Sequence, residues 1–274
     1  MELRGRNALV TGAAGGLGHY IARALAAEGV NLALCELPEA SVDDLVAELR
    51  PRGVAVEPVP ADLTDTAGLE MLVRHAADAV GPLDILVNNA GLEFGGGFGH
   101  QSREELEAIV SVNLLAVMEL TRVVLPGMLE RRRGHVVNVA SMAGKAGSPF
   151  LASYAGTKHG VVGFTHSLRG EYADEPVSFS AICPIFISRV GMYGRLEGAT
   201  PEPPWPLTPK PPEAVGGAVV KAVREDRAEV LVAGPGARPL IAIHALAPKL
   251  AQWLNNRRRS REFAEAYARA RGRL

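Results

Sequence analysis

The sequence predicts an α/β fold, a doubly wound sandwich in which helices cover both faces of a parallel sheet. Three observations carry this. Short apolar runs alternate with helical patterns along most of the chain. The runs are continuous rather than alternating, as in strands buried on both faces. A glycine-rich turn joins the first run to the first helix. Crossovers between parallel strands are right-handed, which leaves the doubly wound arrangement as the natural solution.

The elements follow in order. Ala8-Leu9-Val10 is the first strand, and a helix over 17–28 follows its glycine turn. Leu32-Ala33-Leu34-Cys35 is the second strand, too short and too uniformly apolar for a surface helix, with a helix over 41–50 behind it. Val54 to Val59 leads into a helix over 66–80, and Ile85-Leu86-Val87 into a long helix over 103–131. Val136 to Ala140 precedes a helix over 153–173; Phe179 to Cys183 and Val230 to Ala233 bracket a helix over 212–225. Residues 188–212 break the rhythm with seven prolines, at 201, 203, 204, 206, 209, 211 and 212, which forbid a continuous helix or central strand. This insertion is expected to act as a lid on a single domain over 1–236.

Composition sets the bounds. The 274 residues carry 29 Lys+Arg against 30 Asp+Glu and are 47% hydrophobic, which supplies one core and excludes disorder and fibre. The near-neutral charge excludes a globally basic nucleic-acid binder. Cys35 and Cys183 cannot form a disulfide framework and read as buried thiols in a reducing compartment. With a strand close to Met1 and no uninterrupted apolar stretch of about 18–20 residues, the expected location is cytoplasmic.

Thr11-Gly12-Ala13-Ala14-Gly15-Gly16-Leu17-Gly18 has the composition of a phosphate-binding turn. Its glycines let the backbone approach a pyrophosphate, and the helix N-terminus offers free N–H groups. Glu36 closes the second strand, where an acid bonds the adenosine ribose hydroxyls and repels the 2′-phosphate of NADP. No Arg or Lys occupies 13–15, and Leu37 follows the acid, so NAD is expected over NADP. Asp62 either accepts from the adenine amino group or caps the next helix.

Ser141 ends the fifth strand, and Tyr154-Ala155-Gly156-Thr157-Lys158 follows on a helix. The four-residue spacing places Tyr154 and Lys158 on one helical face. A phenol is a poor base near neutrality, and an adjacent ammonium favours its ionised form. Tyr154 then exchanges a proton with an alcohol or ketone oxygen that Ser141 holds.

With these motifs, Asn88-Asn89-Ala90-Gly91 included, the chain resembles a classical short-chain dehydrogenase/reductase over roughly residues 5–235. The resemblance implies a Rossmann-like, seven-stranded parallel sheet in the order 3-2-1-4-5-6-7. It implies that Asn89 to Gly91 steady the fourth strand beside the cofactor, and that Asn113 positions a water linking Lys158 to solvent. It implies that Lys158 also binds the nicotinamide ribose, and that Leu17, Leu63, Ala90, Pro184 and Ile187 adjoin the dinucleotide. The reaction implied is reversible hydride transfer between a secondary alcohol and nicotinamide. A homodimer or homotetramer through the helices at 103–131 and 153–173 is implied as well.

One segment departs from the family pattern. Ile185 replaces a glycine and Arg189 a threonine that contacts the nicotinamide amide, with Ser188 one residue away. A catalytically weak dinucleotide-binding protein is therefore the alternative reading. Family geometry directs Leu92 to Phe94, Met142-Ala143, Phe150, Phe186 and Met192-Tyr193 toward substrate, which implies a small hydrophobic ketone or alcohol. His19, His159 and His166 lack metal-ligand spacing, and no metal is expected. In Arg131-Arg132-Arg133-Gly134 the cations complement a helix end and Gly134 caps the turn.

Residues 237–274 form a basic amphipathic tail. Leu240, Ile243, Ala247, Leu250 and Leu254 recur at helical spacing around Pro248. After Ser260, an expected N-cap, Phe263, Tyr267 and Ala270 form a second stripe, opposite Arg257, Arg258, Arg259, Arg261, Arg269, Arg271 and Arg273. The tail holds nine Lys+Arg and two Asp+Glu, against 20 and 28 in the rest. Docking on the same or a neighbouring subunit is favoured over contact with an anionic membrane surface.

Overall fold

A computed structural model describes residues 1–271; Arg273 of the expected basic face lies outside the described residues. Its seven strands are β1 (Asn7–Thr11), β2 (Asn31–Cys35), β3 (Val56–Pro58), β4 (Ile85–Asn88), β5 (Gly134–Val139), β6 (Val177–Pro184) and β7 (Glu229–Val232). They form one sheet in the order β3-β2-β1-β4-β5-β6-β7 with every pair parallel, as the family resemblance implied. β3 is an edge strand and tolerates Pro58 because that nitrogen, which cannot donate, faces away from β2, while the Val59 amide bonds the Leu34 carbonyl at 2.9 Å.

Helices α1 (Gly16–Ala27), α2 (Asp43–Leu49) and α3 (Leu69–Val80) fill the first half. α4 (Arg103–Val110) opens on a capping box in which Ser102 accepts from the Glu105 amide and Glu105 returns the bond. It runs without a break through a π-turn, Ser111–Leu115, into α5 (Ala116–Glu130). Long and apolar enough by composition to cross a bilayer, this helix buries Asn113, Leu120, Val124 and Met128 within the molecule. α6 (Ala152–Glu171), α7 (Gly191–Gly194) and α8 (Glu213–Glu225) follow. Two apolar clusters sandwich the sheet. Ile21, Leu25, Leu45 and Val219 lie in one, and Leu72, Leu120, Met128 and Phe179 in the other.

The arginine run behaves differently from its expected capping role. Arg132, not Gly134, takes the left-handed conformation, with φ +51°, and Gly134 already begins β5. Arg133 pairs at 2.8 Å with Asp84, a carboxylate that is otherwise buried. Arg131 donates to the Leu83 carbonyl at 2.8 Å, so the run ties α5 to the entrance of β4.

The tail forms α9 (Ala237–Leu246), α10 (Pro248–Asn255) and α11 (Arg258–Ala270). Pro248 starts α10 because the first helical position needs no N–H. α11 docks on its own chain and buries Phe263 and Tyr267 against Ile109, Leu151, Tyr154 and Tyr193. Its small buried residues are Ala264 and Ala268 rather than Ala270, which faces solvent. The expected N-cap is also displaced: Arg257 holds that position, and Ser260 lies inside the helix.

Candidate active site

The carboxyl ends of the central strands open onto one cleft of about 940 Å³. Of the catalytic and dinucleotide-binding candidates singled out in the sequence, all but Gly18 and Asn113 line it. Gly12 adopts φ +67°, and a Cβ there would fall 2.8 Å from the Ala90 Cα. Gly18 lies beneath the turn, where a Cβ would fall 2.1 Å from the Gly12 carbonyl oxygen. It therefore sets how closely α1 approaches the turn rather than lining the cleft. Gly15, the N-cap of α1, offers no side-chain cap, so the first helical turn is free to meet an anion. Asn89 braces the turn from β4 through its Nδ2, which donates to the Thr11 and Gly12 carbonyls at 2.9 and 3.0 Å.

At the far end of the cleft the Glu36 carboxylate accepts from the Ala14 amide at 3.0 Å and from the Leu37 amide at 3.0 Å. Both bonds fix it against the glycine turn. Asp62 accepts from the Thr64 amide and hydroxyl, each at 2.8 Å, which closes a local turn. It does not cap the next helical segment. Asp65 does, accepting from the Gly68 amide at 3.3 Å. A carboxylate fixed at the end of β2, an uncapped helix start and a glycine turn together fit a dinucleotide.

Over the middle of the cleft, α6 presents Tyr154 and Lys158, and β5 ends at Ser141. Lys158 Nζ donates to the Val139 carbonyl at 2.9 Å and sits 5.7 Å from the centre of the Tyr154 ring. Burial lowers the Lys158 amine to about 8. Burial also raises the Tyr154 phenol, with Glu93 adding to the rise, while a hydrogen bond from Ser141 and the charge of Arg271 oppose it. The phenol is therefore protonated at neutral pH.

Asn113 sits in the π-turn, fully buried. Its Oδ1 accepts from the Leu92 amide at 2.7 Å, and its Nδ2 donates to the Leu92 carbonyl at 2.9 Å and to Thr157 Oγ1 at 3.2 Å. It joins the chain after β4 to α6, one residue from Lys158. The extra residue of the π-turn directs this side chain inward, a common use of such turns near functional sites.

The substrate side holds the main surprise. Leu92, Met142, Ala143, Phe186, Met192 and Tyr193 line the cleft as expected, but Phe94 and Phe150 do not. Helix α11 supplies Tyr267, and Arg271 follows it. Tyr267 Oη donates to Glu93 Oε1 at 2.9 Å, and Arg271 pairs with the same carboxylate at 3.0 Å. Arg271 also donates to the Glu93 and Met192 carbonyls, so it faces inward and not, as expected, out with the other arginines. The signal was present: Phe263, Tyr267 and Arg271 recur every four residues, on one face of the helix.

The family profile described as short chain dehydrogenase matches residues 6–198. The chain belongs to the short-chain dehydrogenase family. It is 40% identical over 230 residues to the ketoacyl reductase HetN of Nostoc sp. strain PCC 7120, covering 84% of this chain and 79% of that one. A short-chain dehydrogenase from Burkholderia phymatum, solved with NAD, superposes with a TM-score of 0.80 at 27% identity, over 91% of this chain and 96% of that one. An actinorhodin polyketide ketoreductase variant, solved with NADPH, gives 0.70 at 33% identity, over 85% and 92%.

Both departures of this short-chain dehydrogenase from the family pattern have local explanations. Ile185 keeps φ out of the left-handed region and donates its amide to the Val232 carbonyl at 3.1 Å. Its side chain packs with Met142, Ala237 and Ile241, the last two on α9. Arg189 takes φ +65° and turns its guanidinium to Glu213, away from the cleft. Ser188 Oγ instead bonds the Lys210 carbonyl at 3.4 Å. In this short-chain dehydrogenase Ile187, Val190 and Gly191 line the cleft along this stretch.

Proposed function

We propose that the chain is an NAD(H)-dependent alcohol dehydrogenase or ketone reductase that uses Tyr154 as its general acid and base. The observation that carries this reading is the convergence of Ser141, the buried Tyr154 phenol and Lys158, one helical turn on, inside the cleft that also holds Glu36. The dinucleotide, when bound, supplies or takes up the hydride. Its adenosine ribose belongs at Glu36, its phosphates at the start of α1, and its nicotinamide end near Tyr154, Pro184 and Ile187.

In the reductive direction the Tyr154 hydroxyl gives its proton to the carbonyl oxygen, and Ser141 donates a hydrogen bond to the same atom. In the oxidative direction Tyr154 takes the alcohol proton. Lys158 in its charged form stabilises the phenolate left after transfer. The Val139 carbonyl orients its amine, and Asn113 holds the helix turn that carries it.

Preference for NAD is supported by the charge at the adenosine end. Glu36, Glu39 and Asp62 line it, and among the described residues of the cleft the cations, Lys158, Arg195 and Arg271, belong to other stretches of its wall. A 2′-phosphate would meet carboxylates without a counter-charge. An apolar ketone or alcohol is supported by Leu92, Met142, Leu151, Phe186 and Met192 on the substrate side. Assembly as a homodimer or homotetramer belongs to the same reading and is supported by Val110 and Leu115, large apolar residues left exposed on the long α4–α5 helix.

Tyr154→Phe tests the reading. Turnover should fall by about 10²- to 10⁴-fold while NADH affinity, read by fluorescence titration, stays within a factor of about two. Turnover at the parent rate would overturn it.

A further inference from the structure

The two faces of the α9–α10 pair differ in kind. The inner face contributes Leu240, His244 and Asn255 to the cleft wall, and Ala251 is buried beneath it. The outer face carries Leu246, Leu250 and Trp253, which are 85%, 45% and 53% exposed. The Arg257 guanidinium lies 4.2 Å from the centre of the Trp253 ring. Residues 238–261 hold six Lys+Arg and no Asp or Glu. Two of those cations, Arg258 and Arg261, pair with Glu262 and Glu265. Arg238, Lys249, Arg257 and Arg259 have no ion-pair partner among the described residues.

We propose that this outer face docks the protein on an anionic lipid surface. Leu246, Leu250 and Trp253 enter the headgroup–acyl boundary, and Arg257 beside Trp253, with the other exposed cations of 238–261, meets the lipid phosphates. A bilayer interface takes up both halves of the pattern: indole and leucine side chains partition there, and Lys and Arg are attracted to anionic headgroups. A second copy related by a two-fold axis would set this cationic face against itself, which repels. A polyanion without an apolar phase would leave Leu246 in water. Docking of this kind is independent of turnover and needs neither NADH nor substrate.

Co-sedimentation of the full chain with phosphatidylcholine vesicles, with and without phosphatidylglycerol, tests the proposal. The protein should pellet with the mixed vesicles and not with phosphatidylcholine alone, and the difference should vanish at about 1 M salt. Trp205→Phe leaves Trp253 as the one indole of the two in the chain, and its emission should shift to the blue on binding. Leu246→Glu with Leu250→Glu should weaken partitioning by about tenfold or more while the thermal midpoint and NADH affinity stay unchanged. Arg257→Gln with Arg259→Gln should lower the selectivity for anionic lipid. Equal recovery with and without phosphatidylglycerol, or unchanged partitioning of the double glutamate variant, would overturn the proposal. So would a dimer that this variant splits, which assigns the face to a second copy.

Discussion

Arg271 meets the buried carboxylate of Glu93 at 3.0 Å, and its guanidinium also donates to the Glu93 carbonyl across 178 residues of chain. The Glu93 carboxyl is pushed up by burial, with Arg271 and the Tyr267 hydrogen bond pulling it back. Removing one partner of a buried pair strands the other at a cost of roughly 3–5 kcal/mol, more than a docked helix readily absorbs. Arg271→Met should therefore raise KM with kcat largely kept, and expose the arginines at 257–261 to limited trypsin digestion. Glu93→Gln combined with Arg271→Met should restore much of the protection, because no charge is left unpaired.

Glu36 offers a test of cofactor choice. Its carboxylate is fixed by two backbone amides, and Glu36→Ser removes the charge together with the bond to the Ala14 amide of the turn. The ratio of kcat/KM for NADH over NADPH should fall by about tenfold or more, through loss of ribose bonds and relief of repulsion. An unchanged ratio would remove Glu36 from cofactor selection.

Lys158 couples activity to stability in opposite senses. Its amine falls from 10.5 to about 8 on folding because burial disfavours the charge. Between those values the unfolded chain binds more protons, so stability rises as pH climbs from 8 to 10.5. Lys158→Met should abolish that rise and stabilise the fold at pH 7 by about 1–3 kcal/mol, net of the lost bond to Val139. Urea unfolding at pH 7 and pH 10 measures both effects, and turnover should be lost in the same variant.

Restoring the family glycine should harm this chain. Ile185→Gly empties space between β6 and α9 where Met142, Ala237 and Ile241 converge. A cavity of this kind costs about 3–5 kcal/mol, read as a lower urea midpoint. No gain in turnover should accompany it, since Ile185 already holds an ordinary backbone conformation.

The sheet and the glycine turn were legible because both are written in contiguous residues. Unbroken runs such as Leu32-Ala33-Leu34-Cys35 can only be buried strands here, and the glycine turn is marked by its spacing. Tyr154 and Lys158 were legible for the same reason, sharing one helix. The polar wall was not. Glu93 lies between Leu92 and Phe94 in a stretch that reads as apolar, and its partners are about 175 residues away on a helix whose arginines all look alike. Sequence periodicity gives the face that each tail residue occupies but not the surface that the face meets. The π-turn was hidden too, because 103–131 has the periodicity of one continuous helix.

The contact between Ile185 and α9 makes residue 185 a marker for sorting relatives. Where a tail helix packs over the end of β6, bulk at that position fills the gap between them; where the tail is absent, the same bulk loses the part of its packing that Ala237 and Ile241 supply. An alignment of related chains should therefore show size at 185 and apolar character at 241 varying together, because the two side chains share one cluster. A single inherited substitution would then report whether the cleft is roofed by its own chain.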